Sequence, residues 1–236
     1  MVTKSSRVIL CCLISIVLVN AASATWVPLT GEPCSISSLL GKSLIFGDKE
    51  FSEIELFGIG TGGAVAPNAD SVFVQGGQDN VTGNYGLRFQ LAGNAGSNQT
   101  ANANLSFKIS ILPDYPGYFV NDVEMILSGV SANGTGVVNV SEAAWDAFPG
   151  GSVVALLSCS KQAGDNDAHL VDHAEFDPLK EIRIQSKDIS ISGGTGIDGA
   201  AHLSEFFQFY SQVPEPMTVC LLGVGALSLV SRKRNA

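Results

Sequence analysis

In the middle of the chain, apolar residues recur at every second position. Leu87, Phe89 and Leu91 share one face of YGLRFQLAG, and Leu105, Phe107, Ile109 and Ile111 share one face of LSFKISIL. Ile182 and Ile184 alternate in EIRIQ, and Ile189 and Ile191 in DISIS. In an extended chain this period sends alternate side chains to opposite faces, one toward a core and the other toward water. Further strands are predicted at residues 43–46, 53–57, 71–75, 123–128, 136–140 and 153–158, with Gly47-Asp48-Lys49 as a hairpin turn between the first two. Gly/Asn/Ser-rich loops are expected at 58–63, 76–84, 93–104 and 192–199. Helix is scarce: a turn at 35–40, and another at 141–147 that Ser141 would cap. Residues 203–210 read as a last strand, because Phe207 and Phe209 share a face. Many short strands with frequent turns define an all-β chain, a β-sandwich or jelly-roll-like domain.

Two apolar runs at the ends break the alternation. Lys4 and Arg7 precede an uncharged stretch over 8–19 and then Ala22-Ser23-Ala24, the pattern of a secretory signal peptide cleaved after Ala24. Leu10 stands where a small residue would have to precede a lipidated Cys11, so a lipoprotein is excluded. At the other end, Val213-Pro214-Glu215-Pro216 is followed by the uncharged run MTVCLLGVGALSLV and by Arg232, Lys233 and Arg234. Proline fixes its own φ and pushes the residue before it into extended conformations, so the 213–216 segment cannot continue a helix. Fourteen residues of helix reach about 21 Å, short of the ~30 Å hydrocarbon core. The basic cluster makes up the difference by snorkelling to the headgroups and holds the C-terminus on the cytoplasmic side. Three segments result: a signal peptide (1–24), a β-sandwich domain (25–212) and a membrane-directed tail (213–236).

The tail resembles the PEP-CTERM sorting signal. That resemblance implies an exosortase substrate: Val213, Pro214, Glu215 and Pro216 would be the sorting motif, 217–230 a single transmembrane helix, and Arg232, Lys233 and Arg234 the membrane stop. It further implies a transient inner-membrane anchor, while the N-terminal signal peptide implies passage through the Sec translocon and signal peptidase. The destination would be the outer envelope, cell surface or extracellular matrix. The match covers about a tenth of the chain and implies no activity for the domain in front of it.

Charge and cysteine content narrow the function of that domain. Net charge is −9, and five of the thirteen basic residues sit in the two terminal segments, so the body is more acidic still. An acidic surface disfavours nucleic acid and anionic lipid, which are bound through Lys and Arg. Of five cysteines, only Cys34 and Cys159 belong to the body. Export permits a disulfide between them, with two separately buried thiols as the alternative.

Catalytic signatures are weak. His169 and His173 are four apart, but Leu170 stands where a zinc protease has its glutamate. Gly150-Gly151-Ser152-Val153-Val154 lacks the second glycine of a nucleophile elbow. Gly193-Gly194-Thr195-Gly196 lacks the lysine of a phosphate loop. Asp165, Asp167 and Asp172 form a cluster of hard oxygen ligands without EF-hand spacing, a weak calcium candidate. Five N-x-S/T sequons, beginning at Asn80, Asn98, Asn104, Asn133 and Asn139, mark exposed segments. The expectation is a non-enzymatic envelope or matrix protein without a cofactor, structural or adhesive in role. The second reading is a carbohydrate-binding module, calcium-assisted or not, that stacks polysaccharide on Trp26, Tyr85, Tyr115, Tyr118 or Trp145. A secreted hydrolase, which would need two carboxylates at a working separation, comes third.

Overall fold

The computed structural model describes residues 26–147, 149–165, 168–211 and 213–214. The chain begins with β1 (Trp26–Pro28), β2 (Cys34–Ser35), a 3-10 turn at Ile36–Leu39, β3 (Leu44–Phe46) and β4 (Lys49–Thr61). Next come β5 (Phe73–Asp79), β6 (Tyr85–Gly96), β7 (Thr100–Ile111), β8 (Tyr118–Asn133) and β9 (Val137–Trp145). It continues through β10 (Val153–Gln162), β11 (Val171–Leu179), β12 (Glu181–Ser192), β13 (Ala200–Tyr210) and β14 (Val213–Pro214).

All pairings between these strands are antiparallel. One sheet runs β1-β5-β6-β13-β8-β11, with β2 added on β5 and β14 on β8; the other runs β10-β9-β12-β7-β4-β3. The two sheets pack face to face as a β-sandwich. The core forms from the inward parity of each strand: Leu87, Phe89 and Leu91 from β6, Leu105, Phe107 and Ile109 from β7, Val138 and Val140 from β9. Phe89 lies 4.8 Å from Phe206 and 5.7 Å from Phe107, joining three strands of the two sheets through aromatic contact.

Bulges change the inward parity in three long strands. In β12 the register slips between Ile184 and Lys187, so Ile182 and Ile184 point inward before it, and Lys187, Ile189 and Ile191 after it. In β13 the slip between Leu203 and Glu205 turns Phe206, Gln208 and Tyr210 inward. In β4 the slip between Ser52 and Glu55 leaves Glu53 at φ 53 and passes the inward role from Phe51 to Ile54. An extra residue in one strand does this wherever it is inserted. EIRIQ and DISIS are therefore two halves of one strand.

Several expectations are corrected. Residues 141–145 are strand β9, not a helical turn; Glu142 points inward between Val140 and Ala144 and hides the alternation. The loop expected at 58–63 is mostly strand, since β4 runs through Thr61. Gly58 and Gly60 are required there by close approach: a Cβ would sit 2.0 Å from the Pro67 carbonyl and 1.9 Å from that of Ala64. Residues 97–99 are all that remains of the loop expected at 93–104. The hairpin turn is confirmed, with Phe46 paired to Lys49 and Gly47 at φ 61. Cys34 and Cys159 are free thiols, not a disulfide. Cys34 lies on β2 beyond β5, and Cys159 on β10, at opposite edges of the sandwich. Their sulfurs donate to separate carbonyls, Val74 at 3.7 Å and Met125 at 3.6 Å.

The exit from the domain is also tied down. Ser211 donates its backbone N–H to Asp122 Oδ1 at 2.7 Å, and Val213 and Pro214 pair with Phe119 and Tyr118 of β8. The signal peptide, Glu215, Pro216, the apolar run 217–230, and Arg232, Lys233 and Arg234 lie outside the described residues.

Candidate functional site

The outer face of the six-stranded sheet carries an open, partly apolar depression. The residues of β4 that point away from the core include Phe57, 68% exposed, and Ile59, 54% exposed. Ladder register sets their neighbours. Phe57 is opposite Asn104 of β7, which is opposite Asp188 of β12, which is opposite Ser141 of β9. One step along, Ile59, Asn102, Ser190 and Asn139 form the parallel row. Phe57, Ile59, Asn102, Asn104, Asp188 and Ser190 line a shallow depression of about 330 Å³.

Its wall is an aromatic ring and a branched aliphatic chain; its floor is amide, hydroxyl and carboxylate. Asn104 donates from Nδ2 to Asp188 Oδ1 at 2.7 Å, which fixes both side chains. Such a surface offers an apolar platform beside hydrogen-bond donors and acceptors, a combination suited to a flat, hydroxylated ligand.

Beyond it on the same sheet lies a charged cluster. Glu53 ion-pairs with Arg183 and, at 3.3 Å, with Lys108; Glu181 approaches Lys108 at 3.6 Å. The hydrogen bond from Arg183, helped by Lys108, holds the Glu53 carboxyl below its ordinary range despite some desolvation. Burial works against the charge of Lys108, but Glu181 and Glu53 outweigh it and raise its pKa.

The residues singled out in the sequence fall elsewhere. Trp26 packs on Phe207 and Phe209 at 5.4 and 5.9 Å. Tyr85 lies under Phe46 and the Gly47 turn, and the indole nitrogen of Trp145 is buried. Tyr115, 38% exposed, meets Tyr118 edge-on at 5.9 Å, away from the depression. His169 bridges to Ser160 through its backbone. His173 Nε2 lies 3.3 Å from Asp122. The Asp172 carboxylate accepts the N–H groups of Ser158 and His173 at 2.7 and 2.9 Å. Asp165 offers its backbone carbonyl to Lys161, and Asp167 lies outside the described residues. Among the described residues, no three His, Cys, Asp or Glu side chains converge on a metal-sized site.

Sequence reasoning missed Phe57 and Ile59 as a surface. The signal was present: in EIELFGIG they take the parity opposite to Ile54 and Leu56, which face the core.

The fold and this surface define an antiparallel β-sandwich with a partly apolar, solvent-facing trough on one sheet. No protein-family model and no curated protein matches the chain. Three solved structures show weak likeness. The enzymatically active domain of bacteriophage CBA120 tailspike protein 4 is 16% identical over 67% of this chain, with a TM-score of 0.29. The chain spans only 19% of that protein. The family 32 carbohydrate-binding module of C. perfringens NanJ, in complex with galactose, is 15% identical, covering 66% of this chain and 93% of the module, TM-score 0.22. The family 11 module of Clostridium thermocellum, in complex with a mixed-linked tetrasaccharide, is 12% identical, covering 64% and 89%, TM-score 0.21. At these scores the likenesses carry no argument about function.

Proposed function

We propose that the chain is an exported, non-catalytic adhesion protein whose β-sandwich holds polysaccharide in the trough on its six-stranded sheet. The observation that carries this reading is Phe57, two-thirds exposed beside a floor of Asn102, Asn104, Asp188 and Ser190. An aromatic face on water gains by covering a sugar ring, while the fixed Asn104–Asp188 pair supplies oriented polar atoms for its hydroxyls. The terminal segments supply the delivery: a signal peptide removed after Ala24, and a tail whose Val213-Pro214-Glu215-Pro216 motif is read at the membrane.

Retention of the full chain on a panel of polysaccharides tests the binding. Phe57→Ala is expected to weaken retention about three- to tenfold, the worth of one aromatic contact of 0.5–1.5 kcal/mol. Its thermal midpoint should stay at the wild-type value, because an exposed side chain is removed. EDTA should leave retention unchanged, since the floor has one carboxylate and no cluster of them. Failure of the wild type to bind any polysaccharide ends the proposal. Fractionation with N-terminal sequencing tests delivery; an untrimmed chain in the cytosol refutes it.

A further inference from the structure

Inside the sandwich, three polar side chains meet where only apolar ones are expected. Lys187 (β12), Glu142 (β9) and Gln208 (β13) are 0%, 3% and 0% exposed. Lys187 Nζ lies 2.5 Å from Gln208 Oε1 and 2.5 Å from Glu142 Oε2. Gln208 Nε2 donates to Glu142 Oε1 at 2.8 Å, closing a ring of three groups. The surroundings are dry: Met125 Sδ at 3.1 Å from Nζ and the Phe206 ring centroid at 4.8 Å. The bulge in β12 and the register slip of β13 against β6 are what turn Lys187 and Gln208 inward.

This is more than a buried ion pair. The carboxylate touches both the amine and the nitrogen of the amide whose oxygen the amine touches. The geometry points to a self-catalysed covalent cross-link, an isopeptide bond between Lys187 Nζ and Gln208 Cδ formed with Glu142 as the proton carrier. Nucleophile, electrophile and shuttle are held together before any reaction, the arrangement that turns a sluggish amine–amide exchange into an intramolecular one.

The step balances without a co-reactant. Glu142 Oε2, 2.5 Å from Nζ, takes a proton from the Lys187 ammonium. Burial drives the same way, pushing the pKa of Lys187 down against the pull of Glu142, because a charged pair in a dry core is costly. The freed Nζ lone pair attacks Gln208 Cδ, and the carbonyl electrons move onto Oε1. Glu142 passes its proton to Nε2, then receives one from Nζ as the Cδ–Nε2 bond breaks. The products are the Nζ–Cδ amide and ammonia, with the surplus proton left on Glu142 or carried off as ammonium. The Cys159 thiol does not compete as nucleophile: burial pushes its pKa up to about 12, so it stays protonated.

Because β12 and β13 belong to different sheets, the bond would join the two halves of the sandwich through the core. The test is the mass of the folded full-length product, measured after denaturation, with a peptide map. The wild type is expected to be lighter than its sequence by one ammonia. A branched peptide should join the segments around Lys187 and Gln208, and trypsin should no longer cut after Lys187. Lys187→Met, folded or not, should have its sequence mass, and Glu142→Gln should lose the branched peptide. A folded wild type at its sequence mass overturns the proposal. So does loss of one water with Lys187 joined to Glu142, or ammonia loss confined to Asn133-Gly134 without a branched peptide.

Discussion

Gly47 shows how closely single residues are constrained. It makes the β3–β4 turn at φ 61, and a Cβ there would stand 2.3 Å from the Tyr85 ring. Gly47→Ala therefore pays both the left-handed backbone term and the displacement of an aromatic side chain. A loss of about 2–3 kcal/mol is expected from the denaturant midpoint. Glu142 is constrained by charge instead. Glu142→Ala leaves the Lys187 amine buried without its carboxylate, and removal of one partner of a buried pair costs about 3–5 kcal/mol. In urea titrations this should be the most damaging of the substitutions named here. Both residues were visible in the sequence, but only Gly47 was legible. A Gly-Asp-Lys turn has its own chemistry, whereas an inward glutamate looks like an outward one until its partners on other strands are known.

At the scale of the strand, legibility followed the alternation and failed where something interrupted it. β6 and β7 keep one parity through their apolar residues and were readable from it. β12 was read as two pieces, because its bulge moves the inward set from Ile184 to Lys187. β9 was misread as a helical turn from Ser141 onward, because Glu142 occupies an inward position. β4 was cut short at its glycines, which serve a loop folded against the strand rather than a break in it. Phe57 and Ile59 could have been found by the same parity that placed Ile54 and Leu56 inside. The bulge of β4 has its own measurable consequence. Glu53, roughly half exposed, ties β4 to Arg183 of β12 and Lys108 of β7, and those contacts lower its folded pKa. A depressed carboxylate pKa contributes stability above the ordinary glutamate range, and loses it as pH falls through the folded value. Solvent screening keeps the contribution under about 1 kcal/mol. The gap between wild type and Glu53→Gln should therefore be small at neutral pH and vanish in acid, as read by denaturant titrations at both.

At the scale of the whole molecule, the two body cysteines sit at opposite edges, and the sandwich holds without a bridge between them. Reducing agent is expected to leave the thermal midpoint unchanged. Thiol titration of the denatured product, once residues 1–24 are cleaved, should find Cys34 and Cys159 alone if the tail has been removed as well, and Cys220 besides if it has not. One assay thus reports both the redox state and the fate of the C-terminus. The all-β, antiparallel composition was legible because it depends on local pattern. The depression and the buried triad were not, because they arise from register between strands distant in the chain.

The pairing of Val213 and Pro214 with β8 has a mechanical consequence. A chain gripped by its C-terminus is gripped through the eight-stranded sheet, while anything caught beside Phe57 pulls on the six-stranded one. Tension between the two grips tries to peel one layer from the other, and side-chain contacts across the core resist it. A covalent rivet between β12 and β13 would carry that tension directly.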